Sequence, residues 1–299
     1  MKDRKKLTYG ILIGVLGIVM FSSKAVMVKL MYQYKIDAIS ALFLRMLFSF
    51  PFYIAIAYFY SSKKTDIPNL QKDYLWLIFF GVVGYYLASY FDFIGLTYIK
   101  ASLERIILFV YPTIVLLFNK FFLKKPISKK QKLAIFITYI GIIITFGSEV
   151  SLHGKNVYLG GLFVFLSALT YASYLVGSGW LIPKFGVIRF TAYAMIVSCI
   201  CVFIHFGITL NKEILNYPWQ VYALGFCVAF FATVIPSFLV SKSIQLINSS
   251  NFAVVAAIGP ISTIILAVIF LNEKLTYLQI LGTVVVILGV LLVSKSKKK

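Results

Sequence analysis

Ten runs of mostly apolar residues, 18 to 28 long, divide the chain, with short polar connections between them. The first five are Thr8 to Met31, Ala38 to Tyr60, Tyr74 to Thr97, Ser102 to Leu123 and Lys129 to Phe146. After a polar break at Glu149 to Asn156 come Tyr158 to Leu181, Arg189 to Thr209, Trp219 to Leu246, Ser250 to Leu271 and Thr276 to Val293. About 20 such residues cross the hydrocarbon of a bilayer as a helix. In lipid a backbone must satisfy its own hydrogen bonds, so runs this long predict helices. The short alternating segments of a membrane barrel are absent. The expected fold class is therefore an all-α integral membrane protein with ten transmembrane helices.

Composition agrees. Of 299 residues 61% are hydrophobic and 13% charged, with a mean hydropathy of +0.94. A soluble domain carries about a quarter charged residues. The net charge of +20 raises the question of nucleic acid. The Lys and Arg residues, however, cluster in the short connections and form no basic face for phosphate contact, so no nucleic-acid partner is expected. They report topology instead. With the N-terminus in the cytoplasm, 19 fall in the leader, the tail and the even-numbered connections, against 5 in the odd-numbered ones. That asymmetry predicts a multi-pass protein of the cytoplasmic (plasma) membrane with both termini cytoplasmic, which requires an even number of spans. The start, MKDRKK before an apolar run, resembles a signal peptide but lacks an A-x-A site, so it reads as a retained first helix. Cys199, Cys201 and Cys227 lie in apolar runs and read as small core residues.

The chain also matches itself at an offset of 148. GLTYIKASLERIILFVYPTIV and its continuation face SIQLINSSNFAVVAAIGPIST and its own continuation without a gap. Pro112 meets Pro260, Gln131 meets Gln279, Leu133 meets Leu281 and Gly141 meets Gly289. Two halves are expected, 1–148 (helices 1–5) and 149–299 (helices 6–10). Five helices per half is an odd number, so the second half enters the membrane inverted. Inverted repeats are a recurring plan of transporters, because equivalent halves can exchange inward-open and outward-open states.

With these features the sequence resembles the drug/metabolite transporter superfamily, specifically the EamA-type permeases. FSSKAVMVK in helix one is similar to that family's W-G-S-N-F-x-x-x-K, with Ser23 and Lys29 matching and Phe21 in place of Trp. Arg45 falls where the family carries an Arg in helix two. ALTYASY in helix six resembles A-L-x-W-A-x-Y, with Tyr171 replacing the Trp. NEKLT matches the family's G-E-x-x-T/S turn, whereas the first copy carries Lys124 and Lys125 there. The resemblance implies a 5+5 inverted-repeat bundle around a central cavity, usually exporting amino acids, other metabolites or drugs.

Ionisable groups inside spans are costly and are functional candidates by default. Here Lys24, Lys29, Arg45, Asp92, Glu104 and Arg105 all belong to helices one to four, and Lys24 lies deepest. The images of three of them are apolar: Val240 for Asp92, Phe252 for Glu104 and Ala253 for Arg105. A site built from them is asymmetric. Lys29 and Arg105 can equally snorkel to the interface, Glu104 suits a helix N-terminus, and Arg45 and Asp92 can form a structural ion pair. Lys24, Arg45, Asp92, Glu104, Arg105, Tyr111 and Tyr171 are the candidate substrate-binding residues. Four cations against two carboxylates favour a solute with a negative group. Asp92 or Glu104 is the candidate carrier of a coupling proton. Pro112, Pro236 and Gly259–Pro260 are expected to interrupt helices four, eight and nine. There is no Walker A motif, no nucleophile elbow and no HExxH, so no catalytic residue, cofactor or metal site is expected. The reading is a secondary transporter that moves a small metabolite (an amino acid or an organic anion), as an exporter by alternating access. A drug or cation efflux carrier and a passive facilitator are the alternatives, and a membrane-embedded enzyme the remote one. The partners are a small-molecule solute and membrane lipid. The sequence leaves open the substrate, the coupling ion and assembly as a homodimer.

Overall fold

A computed structural model describes residues 2–60, 71–124, 127, 129–153, 156–209, 212–256 and 258–294. The basic connection at Lys63 and Lys64, Lys125, Lys155 and the tail from Lys295 lie outside the described residues. The rest is helix after helix. The first two spans are α1 (Lys2–Tyr32) and α2 (Ala38–Tyr60). The third is α3 (Gln71–Gly81), a π-helical turn (Val82–Leu87) and α4 (Ala88–Tyr98). The fourth is α5 (Ala101–Leu108) and α6 (Tyr111–Leu123), and the fifth is α7 (Lys129–His153). The sixth and seventh are α8 (Asn156–Phe185) and α9 (Val187–Thr209). The eighth and ninth are α10 (Trp219–Ala229), a second π turn (Phe230–Val234), α11 (Ile235–Val255) and α12 (Ile258–Leu271). The tenth is α13 (Tyr277–Ser294). Among the described residues, seven of the spans are long and apolar enough to cross a membrane by length and composition. Ile135–Thr145, Ile258–Leu271 and Tyr277–Gly289 are shorter apolar helices among the described residues.

Two boundaries differ from the sequence pattern. α7 runs on to His153, through the polar stretch expected to break the chain, because a helix can keep its backbone bonded there while its last turns leave the apolar layer. α11 continues past the expected gap between spans eight and nine and turns at Asn248, whose φ of 63° bends the helix axis. The expected interruptions fall beside the prolines. The turn at Phe109–Val110 precedes Pro112 in the first turn of α6, and Pro236 sits in the first turn of α11, just after the second π turn. A first helical turn is where the missing proline N–H costs least.

The two halves agree in detail beyond the matched residues. The π turns begin at Val82 and Phe230, 148 apart, and the left-handed residues that end α6 and α12 are Lys124 (φ 51°) and Asn272 (φ 52°), again 148 apart. A π turn inserts one residue into a helix and marks functional positions more often than chance. The one in span three begins right after Gly81 and contains Gly84, with no proline beside it.

Outside, the bundle presents apolar side chains to lipid: Phe59, Phe121, Phe122, Ile143 and Ile208 are each more than two-thirds exposed. Inside, small residues bring backbones together. A Cβ on Gly84 would fall against Tyr174, and one on Gly141 would come 2.7 Å from the Gly282 carbonyl oxygen. That last contact belongs to the α7–α13 pair, the most extensive helix contact in the molecule. With ten spans, α1 starts and α13 ends on the same side of the bundle, the terminal face.

Candidate functional site

The polar centre gathers where spans one, three, four and six meet. α1 brings Phe21, Ser22 and Lys24, α4 brings Ser89 and Asp92, α5 brings Glu104 and Arg105, and α8 brings Ser167 and Tyr171. Lys24 and Asp92 are 4% and 1% exposed and form an ion pair, Nζ to Oδ2, of 2.5 Å. Asp92 thus pairs with Lys24 and not with Arg45, the partner the sequence suggests. The Glu104 carboxyl lies beside that of Asp92. Apart from the Lys24 ion pair, neither carboxyl accepts a hydrogen bond from a described residue. Arg105 does not snorkel. It is 5% exposed and donates from Nη2 to Ser22 Oγ at 2.9 Å. Its guanidinium lies against the backbone of Gly259, where a Cβ would come 3.1 Å from Nη2. Ser22 in turn donates to the Ile18 carbonyl at 2.7 Å, with the Gly259 carbonyl of span nine 3.3 Å away.

Arg45 stands apart from this cluster. It is 1% exposed and donates from Nε to Thr233 Oγ1 at 2.7 Å and from Nη1 to Ser89 Oγ at 2.8 Å. The Phe93 ring faces it, 5.6 Å from centroid to Cζ. Thr233 belongs to the second π turn, and Ser89 lies two residues beyond the first. Arg45 therefore ties together the two equivalent turns of opposite halves.

Aromatic rings wall the centre. Phe21 stacks on Tyr171 at 6.2 Å, Tyr111 meets Tyr171 edge-on at 5.3 Å, and Lys24 Nζ lies 5.0 Å from the Phe21 centroid. Tyr111 is buried on this wall, so both predicted tyrosines join the site. Trp180, on the same helix as Tyr171, is 41% exposed and packs edge-on with Trp76 away from the centre. Between Lys24, Tyr85, Ser89, Leu108, Ser167 and Tyr171 the open space is about 20 Å³. That is room for about one water molecule. A separate cleft of about 640 Å³ opens at the terminal face between Tyr60, Phe185, Arg189, Phe238 and Lys242, and shares no lining residue with the centre.

On the face opposite the termini, the acid of the NEKLT turn fastens span four to the turn before span ten. Glu273, in the turn before α13, accepts hydrogen bonds from the Ala101 and Ser102 backbone N–H groups at 2.9 and 3.2 Å and from the Ser102 hydroxyl at 2.5 Å. A carboxylate at a helix start satisfies the orphan donors there and suits the helix dipole. Lys29, half-buried nearby, donates to the Leu96 carbonyl at 3.0 Å, and Tyr32 to the Phe93 carbonyl at 2.7 Å. The signal for Glu273 in the sequence is an acid at the repeat position opposite a serine-started helix. Among the described residues no group of three or more His, Cys, Asp or Glu can hold a metal.

Known proteins carry the same architecture. A crystal structure of another protein superposes with a TM-score of 0.71 over 98% of this chain and 99% of that one, at 12% identity, a likeness of fold. The uncharacterized transporter YcbK of Bacillus subtilis is 32% identical over 279 residues, covering 91% of this chain and 88% of its own. The uncharacterized transporter YyaM of the same organism is 26% identical over 229 residues, covering 76% and 75%. The model of the EamA-like transporter family matches twice, over residues 8–147 and 158–295, once for each run of five spans. Ten helices, a register repeated at 148 residues and this double match make the chain a member of the EamA-like transporter family, within the drug/metabolite transporter superfamily.

Proposed function

We propose that this protein is a secondary carrier that exports a small metabolite, an amino acid or organic anion, across the plasma membrane by alternating access. In this reading the halves 1–148 and 149–299 rock about the central site, with both termini in the cytoplasm. The observation that carries it is the closed centre. Two inverted halves meet on a buried cluster of charges around a space of about 20 Å³, too small for any metabolite. Such a site does its work only when one face opens. The charges set the solute class. Asp92 and Glu104 lie side by side against Lys24 and Arg105. With Arg45 the centre holds three cations against two carboxyls, and a solute with a carboxylate lowers the cost of burying them. Asp92 or Glu104 is the proposed carrier of a coupling proton. The aromatic wall of Phe21, Tyr111 and Tyr171 supports a second reading, efflux of a flat cation.

The test is counterflow in proteoliposomes loaded in turn with amino acids, organic anions and lipophilic cations. A carrier gives saturable uptake that an unlabelled solute on the far side accelerates. Flux that neither saturates nor responds to the far-side solute means a pore. Acceleration by cations alone moves the protein to the second reading.

A further inference from the structure

The three buried cations of the centre are not equivalent. Lys24 has Asp92 at 2.5 Å, and Arg105 is hydrogen-bonded to Ser22 beside the Asp92–Glu104 pair. Arg45 has no carboxylate within ion-pair distance among the described residues. Two hydroxyls, Ser89 and Thr233, take its Nε and Nη1, and no described residue accepts a hydrogen bond from its Nη2. A guanidinium buried to 1% exposure within a membrane-spanning helix, with neutral partners and a spare donor, is an expensive arrangement for structure alone. It is also the arrangement of an anion receptor waiting for its anion, since the planar fork matches two carboxylate oxygens at once. Ser89 is the link to the solute space. Its hydroxyl accepts from Arg45, and its side chain lines the central space.

Resting on the carrier reading, we propose that Arg45 is the receptor for the solute's carboxylate, and that binding unties spans three and eight. An anion entering at Ser89 takes the Nη1 and Nη2 donors, and then Nε, in exchange for the two hydroxyls. Thr233 lies in the second π turn and Ser89 just beyond the first, so the exchange removes a side chain that links these equivalent regions of opposite halves. A ligand shifts a conformational equilibrium only through a difference in its contacts between states. Here the difference is specific: in the empty closed state Arg45 straps the two turns, and in the loaded state it does not. Lys24 and Arg105 keep their own partners throughout.

The experiment combines thermal stabilisation with hydrogen exchange on the full-length protein in nanodiscs. The probes are glycine, alanine, lactate and benzoate, each paired with its neutral primary amide or, for the amino acids, its methyl ester. Carboxylates are expected to stabilise the wild type and their uncharged partners are not. Arg45→Gln is expected to weaken carboxylate binding at least tenfold, and Arg45→Lys, which keeps the charge without the fork, by less. Exchange in residues 82–92 and 228–237 is expected to rise when a carboxylate is added to the wild type, and to be high already in unliganded Arg45→Gln. Equal binding of acid and uncharged partner, or undiminished binding in Arg45→Gln, overturns the receptor role. Exchange that ignores both ligand and variant overturns the strap. If Arg45→Gln does not fold, Arg45→Lys and the wild-type exchange carry the test. Carboxylate counterflow that survives Arg45→Gln would sink this proposal and leave the carrier standing. The absence of counterflow for every solute would sink the carrier.

Discussion

At the scale of single residues, burial decides what each charge is worth. Lys24 and Asp92 are almost wholly shielded, so removing one strands the other. Asp92→Asn is expected to lower stability by about 3–5 kcal/mol in thermal or denaturant unfolding. The double variant Lys24→Met/Asp92→Leu, which removes both charges, should recover most of that loss. If the double variant is no better than the single one, the pair is not what makes Asp92 matter. Glu104→Gln is a different case, because an amide of the same shape can donate to the neighbouring Asp92. It is expected to keep stability within about 1 kcal/mol of wild type. If Glu104 carries the coupling proton, the same change should make solute flux into vesicles stop responding to an imposed pH gradient. The sequence makes these side chains legible as a group, since six charges in helices one to four cannot hide in apolar runs. It does not say which of them pair. Lys24 wins Asp92 because both project into the space between α1 and α4, and that direction depends on helix rotation, which no spacing in the sequence reports. The role of Glu273 is hidden for a similar reason: the sequence marks it as part of a turn motif, but two of its three hydrogen bonds come from backbone N–H groups roughly 170 residues away, which carry no residue identity.

At the scale of helices, close approach and helix irregularity do the positioning. Apolar length and prolines make the spans and most of their breaks readable, but the π turn at Val82–Leu87 is marked only by Gly81 and Gly84, which close packing against other helices would equally explain. Its position becomes visible only through its twin at Phe230–Val234. The α7–α13 pair tests the packing directly. A methyl group on Gly141 would meet the Gly282 carbonyl at 2.7 Å and the Val286 side chain at 2.8 Å, so one backbone has to move. Gly141→Ala is expected to cost about 1–3 kcal/mol, read as a lowered unfolding temperature, with little effect on solute affinity because the pair is remote from Lys24 and Arg45. A neutral result would mean that the two helices slide freely past each other.

At the scale of the whole molecule, the halves share a backbone plan but differ in how each end is fastened. Glu273 caps the start of α5 on the face opposite the termini. Its image 148 residues earlier is Lys125, which has no acceptor to offer the helix start at Ser249 and Ser250. The unequal fastening predicts that the empty protein rests closed on the capped face and opens toward the terminal face. Glu273→Lys makes the two ends alike. It is expected to raise hydrogen exchange in residues 101–104 and to expose a cysteine placed at Leu103, which is fully buried, to a reagent added from the capped side. Unchanged labelling would show that the cap does not govern opening.

The pairing of α7 with α13 also sets an order of events in time. α7 ends at His153, and its main partner begins at Tyr277. At ordinary synthesis rates roughly ten seconds separate the two leaving the ribosome. Through that interval the fifth helix lacks its main partner, and its glycine notch stays uncovered by α13. A truncation of the tenth span is therefore expected to leave a packing defect in the first half.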